Sequence, residues 1–556
     1  MDVTFKFLSE LLKVLPIATL NAEGNVLASS LVKELQATSE GESSVASVRD
    51  QYGWIHQNQS VSYLYVPSLI GTDAMAPDLA EAERVFRNLA LQRSRKIIVL
   101  SSALIYGTGA SRQALVSEDY VTSRKAGQVI STSWSILEKL ALQYLSEQNK
   151  VTILRPVTLV PSPALLSRIL TRRFAPTLLG HDATLQLLSP SDLANAVRCV
   201  LLRDCPGVFN VAPDRVVPMH AAIRLAGGLR IPLPRTLRRL RKRTEVLDYL
   251  RYPWTVSNQK IKSVLGFKPT KTSLTALLEA RHRESDEAVQ EPDFDEFGMD
   301  RDYIRFYGNN FFKFLADFYW RIEERGVKHV PRSGRGILVG MHRGFMPWDG
   351  VMALHLLVQK IGRFPRFLIH PGLLKFPFLA NFMTKLGGVI ACQESADRVL
   401  ESNELLGVFP EGIQGAFTPY RDSYQLQGFG RNAFVKMALL HRAPIIPFVT
   451  VGSAEIFPIL GKIESKLWHR YAEWPFIPLT PTFPILPLPL PAKWHTMFLP
   501  PLHVERTYPP EAAHDRSVVK AISLEVRMRM QQAIDEMLAQ RRSIFWGSAF
   551  KQGDST

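Results

Sequence analysis

GILVGMHRGFMPWDGVMALHLL, residues 336–357, joins two apolar runs through a short polar segment that contains His342 and Asp349. The run GILVG has the continuous apolar character of a buried strand. The later run has apolar residues at helical spacing, and Pro347 is well placed for the first turn of a helix. The stretch therefore predicts a strand, a loop and a helix in succession.

His342 and Asp349 admit two interpretations. In one continuous helix the two side chains would share a face but lie about 10 Å apart, and Gly344 and Pro347 disfavour such a helix. A loop that folds His342 back over the helix start would instead let the Asp349 carboxylate accept a hydrogen bond from the imidazole, which makes His342 a general base. The alternative is that Asp349 only complements the helix dipole and His342 is an ordinary loop residue.

A second candidate segment is LLGVFPEGIQG, residues 405–415. Its apolar run predicts a strand that ends in Phe409, Pro410, Glu411 and Gly412. A turn at this point would present a carboxylate and free backbone amides to a ligand. Downstream, residues 424–452 predict a helix followed by a strand with Pro447 near its middle.

This ordered set, over about residues 300–545, resembles the glycerolipid acyltransferases of the lysophosphatidate acyltransferase type, which share a His-Asp motif and an FPEG motif. Their common motif spaces His and Asp five apart, whereas HRGFMPWD spaces them seven apart. The longer spacing resembles a branch with a G-x-P-x-D loop, which includes enzymes that act on neutral glycerides and related alcohols.

The resemblance implies a role for each matching residue. His342 would be the general base and Asp349 its orienting partner. The FPEG turn, with Glu411 and Gly412 foremost, would bind the acyl acceptor. Arginines near the motifs could meet phosphate or CoA anions, and these are Arg398, Arg421 and Arg431.

The first half of the chain alternates strand-like and helix-like runs. KIIVLSS (96–102) and VTILRPVTLV (151–160) predict strands, and residues 135–148 and 190–202 predict amphipathic helices. Strands separated by helices imply a parallel sheet with helices on both faces. KIIVLSSALIYG, VTILRPVTLVPS, LLSPSDLANAVRCVL, GVFNVAP and VSNQKIKSVLGFKPTKTSL, in this order, resemble the extended short-chain dehydrogenases and NAD-dependent epimerases over about residues 14–280.

The chemistry of that family is mostly missing. Its first turn should be glycine-rich so that amides can approach a pyrophosphate, but residues 18–35 contain only Gly24. The family also uses a Tyr and a Lys four residues later, whereas the matching residues 129–142 contain no tyrosine and place Ser131 and Ser135 in the nearest register. We therefore expect a degenerate Rossmann-like domain without hydride transfer or NAD(P) chemistry, although a nucleotide or sugar-like ligand could still bind.

The length and composition of the chain predict two domains. A chain of 556 residues is too long for one compact core. The acidic, proline-containing stretch 284–300 predicts a linker between a Rossmann-like domain at 1–283 and an acyltransferase domain at 301–556. The predicted fold class is α/β in both domains.

The charge of the chain favours an anionic partner, because the formal net charge is +16 and the pI is about 9.7. The basic run RTLRRLRKR, residues 235–243, is either a solvated helix face or a contact with anionic headgroups. Nucleic acid is not expected, since no reader motif accompanies the charge. Three cysteines fit a reducing compartment and predict no metal site.

Membrane association is expected to be peripheral, in the cytoplasm. Residues 1–20 predict a short helix and a strand instead of a secretory signal. No apolar run is long enough to cross a bilayer without charge or proline. Residues 474–494, with a tryptophan at each end, predict an extended proline-rich segment that either packs on its domain or presents an apolar face with tryptophans to lipid.

Taken with the resemblance, the sequence predicts an O-acyltransferase of lipid biosynthesis. It would move a fatty acyl group from acyl-CoA or acyl-carrier protein to a glycerolipid or related lipid alcohol. The thioester supplies the leaving group, so neither a metal nor a nucleotide cofactor is required. The alternatives are an NAD(P)-dependent oxidoreductase or epimerase in the N-terminal half, and a non-catalytic lipid-binding scaffold.

Overall fold

The computed structural model describes most of the chain, namely residues 17–21, 26–37, 45–49, 62–71, 73–91, 96–109, 114–120, 128–145, 150–203, 205–234, 244–281, 294–376, 378–430, 432–465, 469, 474–486 and 488–550. It forms two compact units, Met1–Gly298 and Met299–Thr556, and each is described by itself. Several predicted features lie outside the described residues: the short helix expected before residue 17, Gly24, the end of the helix predicted at 135–148 (146–148), the basic run 235–243, part of the linker (284–293) and Arg431.

A six-stranded parallel sheet organises the first unit. Its strands are β1 (Ile17–Asn21), β2 (Val45–Arg49), β3 (Ser62–Tyr65), β4 (Lys96–Leu100), β5 (Val151–Pro156) and β6 (Gly207–Val211). The strand order is β2-β1-β3-β4-β5-β6, and all neighbours are parallel. The order reverses between β1 and β3, which is the doubly wound arrangement of Rossmann-like folds.

Helices cover this sheet. They are α1 (Val26–Ala37), α2 (Leu79–Ala90), α3 (Val129–Leu145), α4 (Pro190–Leu202), α5 (Gln259–Leu265) and α6 (Ser273–Ala280), with further helices at Leu165–Leu170, Met219–Leu225 and Thr244–Tyr249. α1 packs against α4, and α2 packs against α3. The connections between parallel strands are right-handed. Since the strand order reverses between β1 and β3, the α1–α4 pair and the α2–α3 pair lie on opposite faces of the sheet. Every residue of β4 is buried as a result.

The second unit contains a seven-stranded mixed sheet. Its strands are β7 (Glu323–Arg325), β8 (Gly336–Gly340), β9 (Arg366–Ile369), β10 (Val389–Ile390), β11 (Leu405–Val408), β12 (Ile445–Val451) and β13 (His495–Phe498). The order is β7-β13-β12-β8-β11-β9-β10. The five strands from β12 to β10 are parallel, and β13 joins β12 in the antiparallel direction.

Helices of the second unit surround this sheet. They are α7 (Arg301–Tyr307), α8 (Trp348–Ile361), α9 (Gln393–Glu401), α10 (Gly412–Ala416), α11 (Ala433–Leu440) and α12 (Arg516–Gln540), with further helices at Leu379–Lys385 and Val504–Thr507. α7 continues into two π-helical turns, Gly308–Phe312 and Leu315–Tyr319. α12 packs on β12 and α11. The predicted α/β class, with a Rossmann-like parallel sheet first, is confirmed.

The proline-rich segment 474–494 is mostly irregular chain, with a short strand at Ile477–Leu479. Trp474 and Trp494 are buried, and Trp494 stacks on Trp320 with ring centroids 4.6 Å apart. The tryptophans therefore do not present an apolar face to lipid, because they belong to the core. Among the described residues, no helix is long and apolar enough to cross a membrane.

Candidate active site

The candidate site lies at the carboxyl ends of β8 and β11. These two strands are parallel neighbours, so their carboxyl ends share one edge of the sheet. His342 follows β8, and the FPEG turn follows β11. Gly340, the last residue of β8, makes room for the turn, because a Cβ atom there would lie 2.8 Å from the Phe409 ring and 2.3 Å from the Phe448 ring.

His342 and Asp349 are hydrogen-bonded. The imidazole Nδ1 lies 2.9 Å from Asp349 Oδ2, which also accepts the backbone N–H of Arg343 at 2.9 Å. The Asp349 side chain is fully buried in the first turn of α8, and the His342 side chain is 14% exposed. The structure gives His342 Nε2 no hydrogen-bond partner among the described residues, so this nitrogen can accept a proton.

The loop between β8 and α8 holds an uncommon backbone conformation. Gly344 has φ +75° and Phe345 has φ +44°, and a positive φ at phenylalanine is a strained conformation. The Phe345 N–H donates to the Ala416 carbonyl at 2.9 Å, and the buried Phe345 ring packs on Phe457. These contacts fold the loop back so that His342 reaches Asp349.

Arg343 ties this loop to the FPEG turn. Its guanidinium forms two hydrogen bonds with the Glu411 carboxylate, at 2.7 and 3.1 Å, and both side chains are 1% exposed. Further guanidinium hydrogen bonds go to backbone carbonyls, of His342, Gly415, Ser423 and Gln425. Glu411 Oε1 also accepts the backbone N–H of Gln427. The buried ion pair of Arg343 and Glu411 therefore has hydrogen-bond partners on both sides, which hold it in one position.

A cavity of about 250 Å³ opens beside His342. Apart from His342 and His370, its walls are formed by apolar side chains and backbone, with aromatic and aliphatic contributions from Phe345, Leu354, Phe367, Ile369, Leu373, Met383, Leu386, Phe409, Ile413, Phe417 and Trp474. Phe409 stacks on Phe367 and packs on the His342 ring, with centroids 5.6 and 5.2 Å apart. Such a cavity suits an apolar ligand with its reacting atom at the imidazole.

The predicted site residues separate into two groups. His342, Phe409 and Gly412 line the cavity, and Gly412 has open space on its Cα side. The others do not line it. Asp349 and Glu411 lie behind the wall, Pro410 adjoins it, and Arg398 is on α9. Arg421 has an 85% exposed side chain and pairs with Asp422 at 3.1 Å.

Two residues that contribute to the candidate site, Arg343 and Trp474, were not predicted from the sequence. Arg343 stands beside His342, and its position inside the motif was the only available signal. Trp474 reaches the cavity from a segment that is distant in the chain, and no local pattern indicates this. No group of three or more His, Cys, Asp or Glu side chains that could hold a metal ion occurs in the part of the chain that the structure describes.

A polar network lies at the carboxyl end of β4 in the first unit. Ser101 donates to Glu138 of α3 at 2.5 Å, and Arg155 donates two hydrogen bonds to the same carboxylate at 2.9 and 2.7 Å. Arg155 also donates to the hydroxyl of Tyr106, whose burial raises its pKa to about 12. Ser101, Glu138, Arg155 and Tyr106 therefore form one connected polar network.

The chain is similar to one protein family model and to several known proteins. The family model described as Acyltransferase matches residues 321–451. The uncharacterized protein ML2427 of Mycobacterium leprae is 36% identical over 260 residues, which are 46% of this chain and 70% of that protein. The uncharacterized protein Rv0502 of Mycobacterium tuberculosis is also 36% identical over 260 residues, with 46% and 72% coverage.

Solved structures similar to this chain include MoeE5 in complex with UDP-glucuronic acid and NAD, at 16% identity and a TM-score of 0.38, with 48% of this chain and 99% of that chain covered. UDP-glucuronic acid 4-epimerase from Bacillus cereus gives 13% identity, a TM-score of 0.38 and coverage of 48% and 97%. Because these values are low, the Rossmann-like assignment of the first unit rests on its strand order.

Proposed function

The chain belongs to the family of these mycobacterial proteins and carries an acyltransferase domain, and we propose that this domain transfers a fatty acyl group to the hydroxyl of a glycerolipid or a related lipid alcohol. The donor would be acyl-CoA or an acyl-carrier protein. One observation carries the proposal: an imidazole oriented by a buried carboxylate lies against an apolar cavity.

The proposed reaction is a direct transfer. His342 Nε2 takes the proton of the acceptor hydroxyl as its oxygen attacks the thioester carbonyl carbon. The new C–O bond forms and the C–S bond breaks, and the leaving thiolate takes the proton from the imidazolium. Asp349 fixes the tautomer with the proton on Nδ1 and stabilises the charged imidazole during the step.

The surroundings of His342 suit this chemistry. Apolar walls would hold an acyl chain and exclude water, which would otherwise hydrolyse the thioester. The nearest arginine, Arg343, is fully engaged with Glu411 and backbone carbonyls, so it is not available for a phosphate. This favours an acceptor without a phosphate at the reacting end, such as an acylglycerol or a long-chain alcohol. An anionic membrane surface would supply the acceptor to a peripheral, cytoplasmic protein.

The test is acyl transfer by the purified chain. Labelled long-chain acyl-CoA or acyl-carrier protein is incubated with lysophosphatidate, monoacylglycerol, diacylglycerol or a long-chain alcohol. We expect a labelled ester from a neutral acceptor, and a loss of roughly 10²–10⁴-fold in His342→Ala.

The chain offers a matched control. His441 Nε2 bonds Asp397 at 2.7 Å and has a 14% exposed side chain, as His342 does, but it does not line the cavity. His441→Ala should keep its activity. Folded protein that gives no ester from any donor and acceptor would contradict the proposal. Release of free fatty acid without an acceptor would make the protein a hydrolase.

A further inference from the structure

The segment 301–320, at the start of the second unit, exposes an unusual number of phenylalanines. Phe306, Phe311, Phe314 and Phe318 are 64%, 44%, 52% and 68% exposed, while Phe312, Leu315 and Trp320 of the same segment are buried. Phe314 and Phe318 stack with centroids 6.3 Å apart. One side of this segment therefore packs into the core, and the other presents aromatic rings outward.

Two other segments extend this exposed surface. Arg321 donates to the carbonyls of Phe318 and Phe545, and its guanidinium lies over the Trp546 ring, 5.0 Å from the centroid. Tyr319 donates to the carbonyl of Pro489, beside the exposed Leu488. We call this surface the aromatic face, defined by Phe311, Phe314, Phe318, Ile485, Leu486, Leu488, Phe545 and Trp546.

Two neighbouring residues, Phe483 and Trp348, place the aromatic face near the walls of the cavity. Phe483, two residues before Ile485, packs on Phe345 and Trp474, with centroids 4.9 and 6.3 Å apart, and both of these residues line the cavity. On another side, Phe311 packs on Trp348, the residue before Asp349. An apolar molecule at this face would therefore lie next to the candidate active site.

The residue types of the aromatic face favour a lipid bilayer over a second copy of the chain as its partner. Aromatic side chains favour the boundary between lipid headgroups and acyl chains. Among the described residues, the Arg321 guanidinium donates only to backbone carbonyls and lies over the Trp546 ring, so no carboxylate neutralises its positive charge. A twofold pairing of this face with a second copy would bring the two Arg321 charges together, whereas an anionic bilayer attracts them.

We propose that the aromatic face docks the second unit on the surface of an anionic lipid bilayer, with the rings of Phe314, Phe318 and Trp546 in the headgroup boundary. The benefit of such docking rests on the proposed function, because a lipid alcohol could then enter the cavity from the bilayer without crossing water. The docking itself depends only on the exposed side chains and the charge.

The experiment is co-sedimentation of the full chain with vesicles of phosphatidylcholine alone or mixed with phosphatidylglycerol. The variant is Phe314→Ser with Phe318→Ser, both exposed, so the core is left intact. Its control is Leu524→Ser with Met528→Ser, two exposed apolar residues of α12 that are 49% and 57% exposed and outside the face. We expect the Phe variant to bind the anionic vesicles at least about tenfold more weakly, and the control to bind as the native chain does.

Equal binding of native chain and Phe variant would overturn the proposal. The proposal would also be overturned if neither protein bound vesicles and the native chain self-associated while the variant stayed monomeric. The aromatic face would then join two copies of the chain. Acyl transfer is measured in parallel, with the acceptor in vesicles and with a water-soluble short-chain acceptor. Vesicle binding that depends on the face, without any acyl transfer, would reject the proposed function and keep the docking.

Discussion

Arg343 and Glu411 show how far single residues can be interpreted from the sequence. The sequence placed Glu411 in a turn that presents its carboxylate to a ligand, and the structure surrounds that carboxylate with Arg343 and the Gln427 N–H. The two partners are 68 residues apart in the chain, so no local pattern could reveal the pair. His342 and Asp349, seven residues apart, were accessible because their contact depends only on one loop.

We predict that Glu411→Gln disturbs the loop and leaves acceptor binding nearly intact. Removing one charge of a buried pair should cost about 3–5 kcal/mol of unfolding free energy, measured by chemical denaturation. In the remaining folded protein, kcat for acyl transfer should fall, while KM for the acceptor changes little, because the carboxylate faces Arg343 and not the cavity.

Glu525→Gln is the control for this prediction. Glu525 pairs with Arg529 on an exposed part of α12, where each side chain is 46% exposed, so its loss should cost less than about 1 kcal/mol. A large rise in acceptor KM with unchanged stability in Glu411→Gln would instead make Glu411 a direct ligand of the acceptor.

At the scale of elements, the strand–loop–helix prediction for residues 336–357 matches β8 and α8 closely, because apolar periodicity and Pro347 are local signals. The conformation of the connecting loop was not predictable. The positive φ of Phe345 is held by a hydrogen bond to Ala416 and by packing on Phe457, and both contacts are tertiary. The same reason explains Trp474 and Trp494, whose burial depends on partners such as Phe345 and Trp320.

Helix α8 also buries a histidine, and this predicts an acid-sensitive second unit. His355 packs against Phe312, and burial lowers its pKa from 6.5 to about 4. The unfolded chain therefore binds a proton between pH 6.5 and pH 4 that the folded chain rejects, so stability falls as pH falls through this window, by up to about 1.4 kcal/mol per pH unit for one proton.

We expect His355→Leu to reduce this slope, measured as unfolding free energy against pH. The slope should not vanish, because burial lowers the pKa of His495 to about 4 as well, and that residue remains in the variant. An unchanged slope between pH 6.5 and pH 4 would show that His355 takes up its proton without cost in the folded state.

At the scale of the whole molecule, the two α/β units follow from chain length and from the alternation of strands and helices. The change of strand order between β1 and β3 could be inferred only through the family resemblance, since pairing order is a long-range property. The same holds for the assembly of one cavity from the ends of β8, β9 and β11, whose sequences are separated by helices.

The first unit leads to the last prediction, that the full chain does not bind dinucleotides tightly. Residues 129–142 of α3 contain no tyrosine. Glu138 of this helix is held by Ser101 and Arg155, and Trp134 is buried with its indole N–H donated to the Met75 carbonyl.

Titration calorimetry with NAD(H) and NADP(H) should therefore give no binding heat at millimolar ligand. Glu138→Gln should bind no better, because the first-turn segment still lacks its glycines, but it should unfold more readily once Arg155 has lost its counter-charge. Micromolar binding of either dinucleotide by the native chain would support the oxidoreductase alternative for this unit, and retained binding in His342→Ala would show that the two units work on separate ligands.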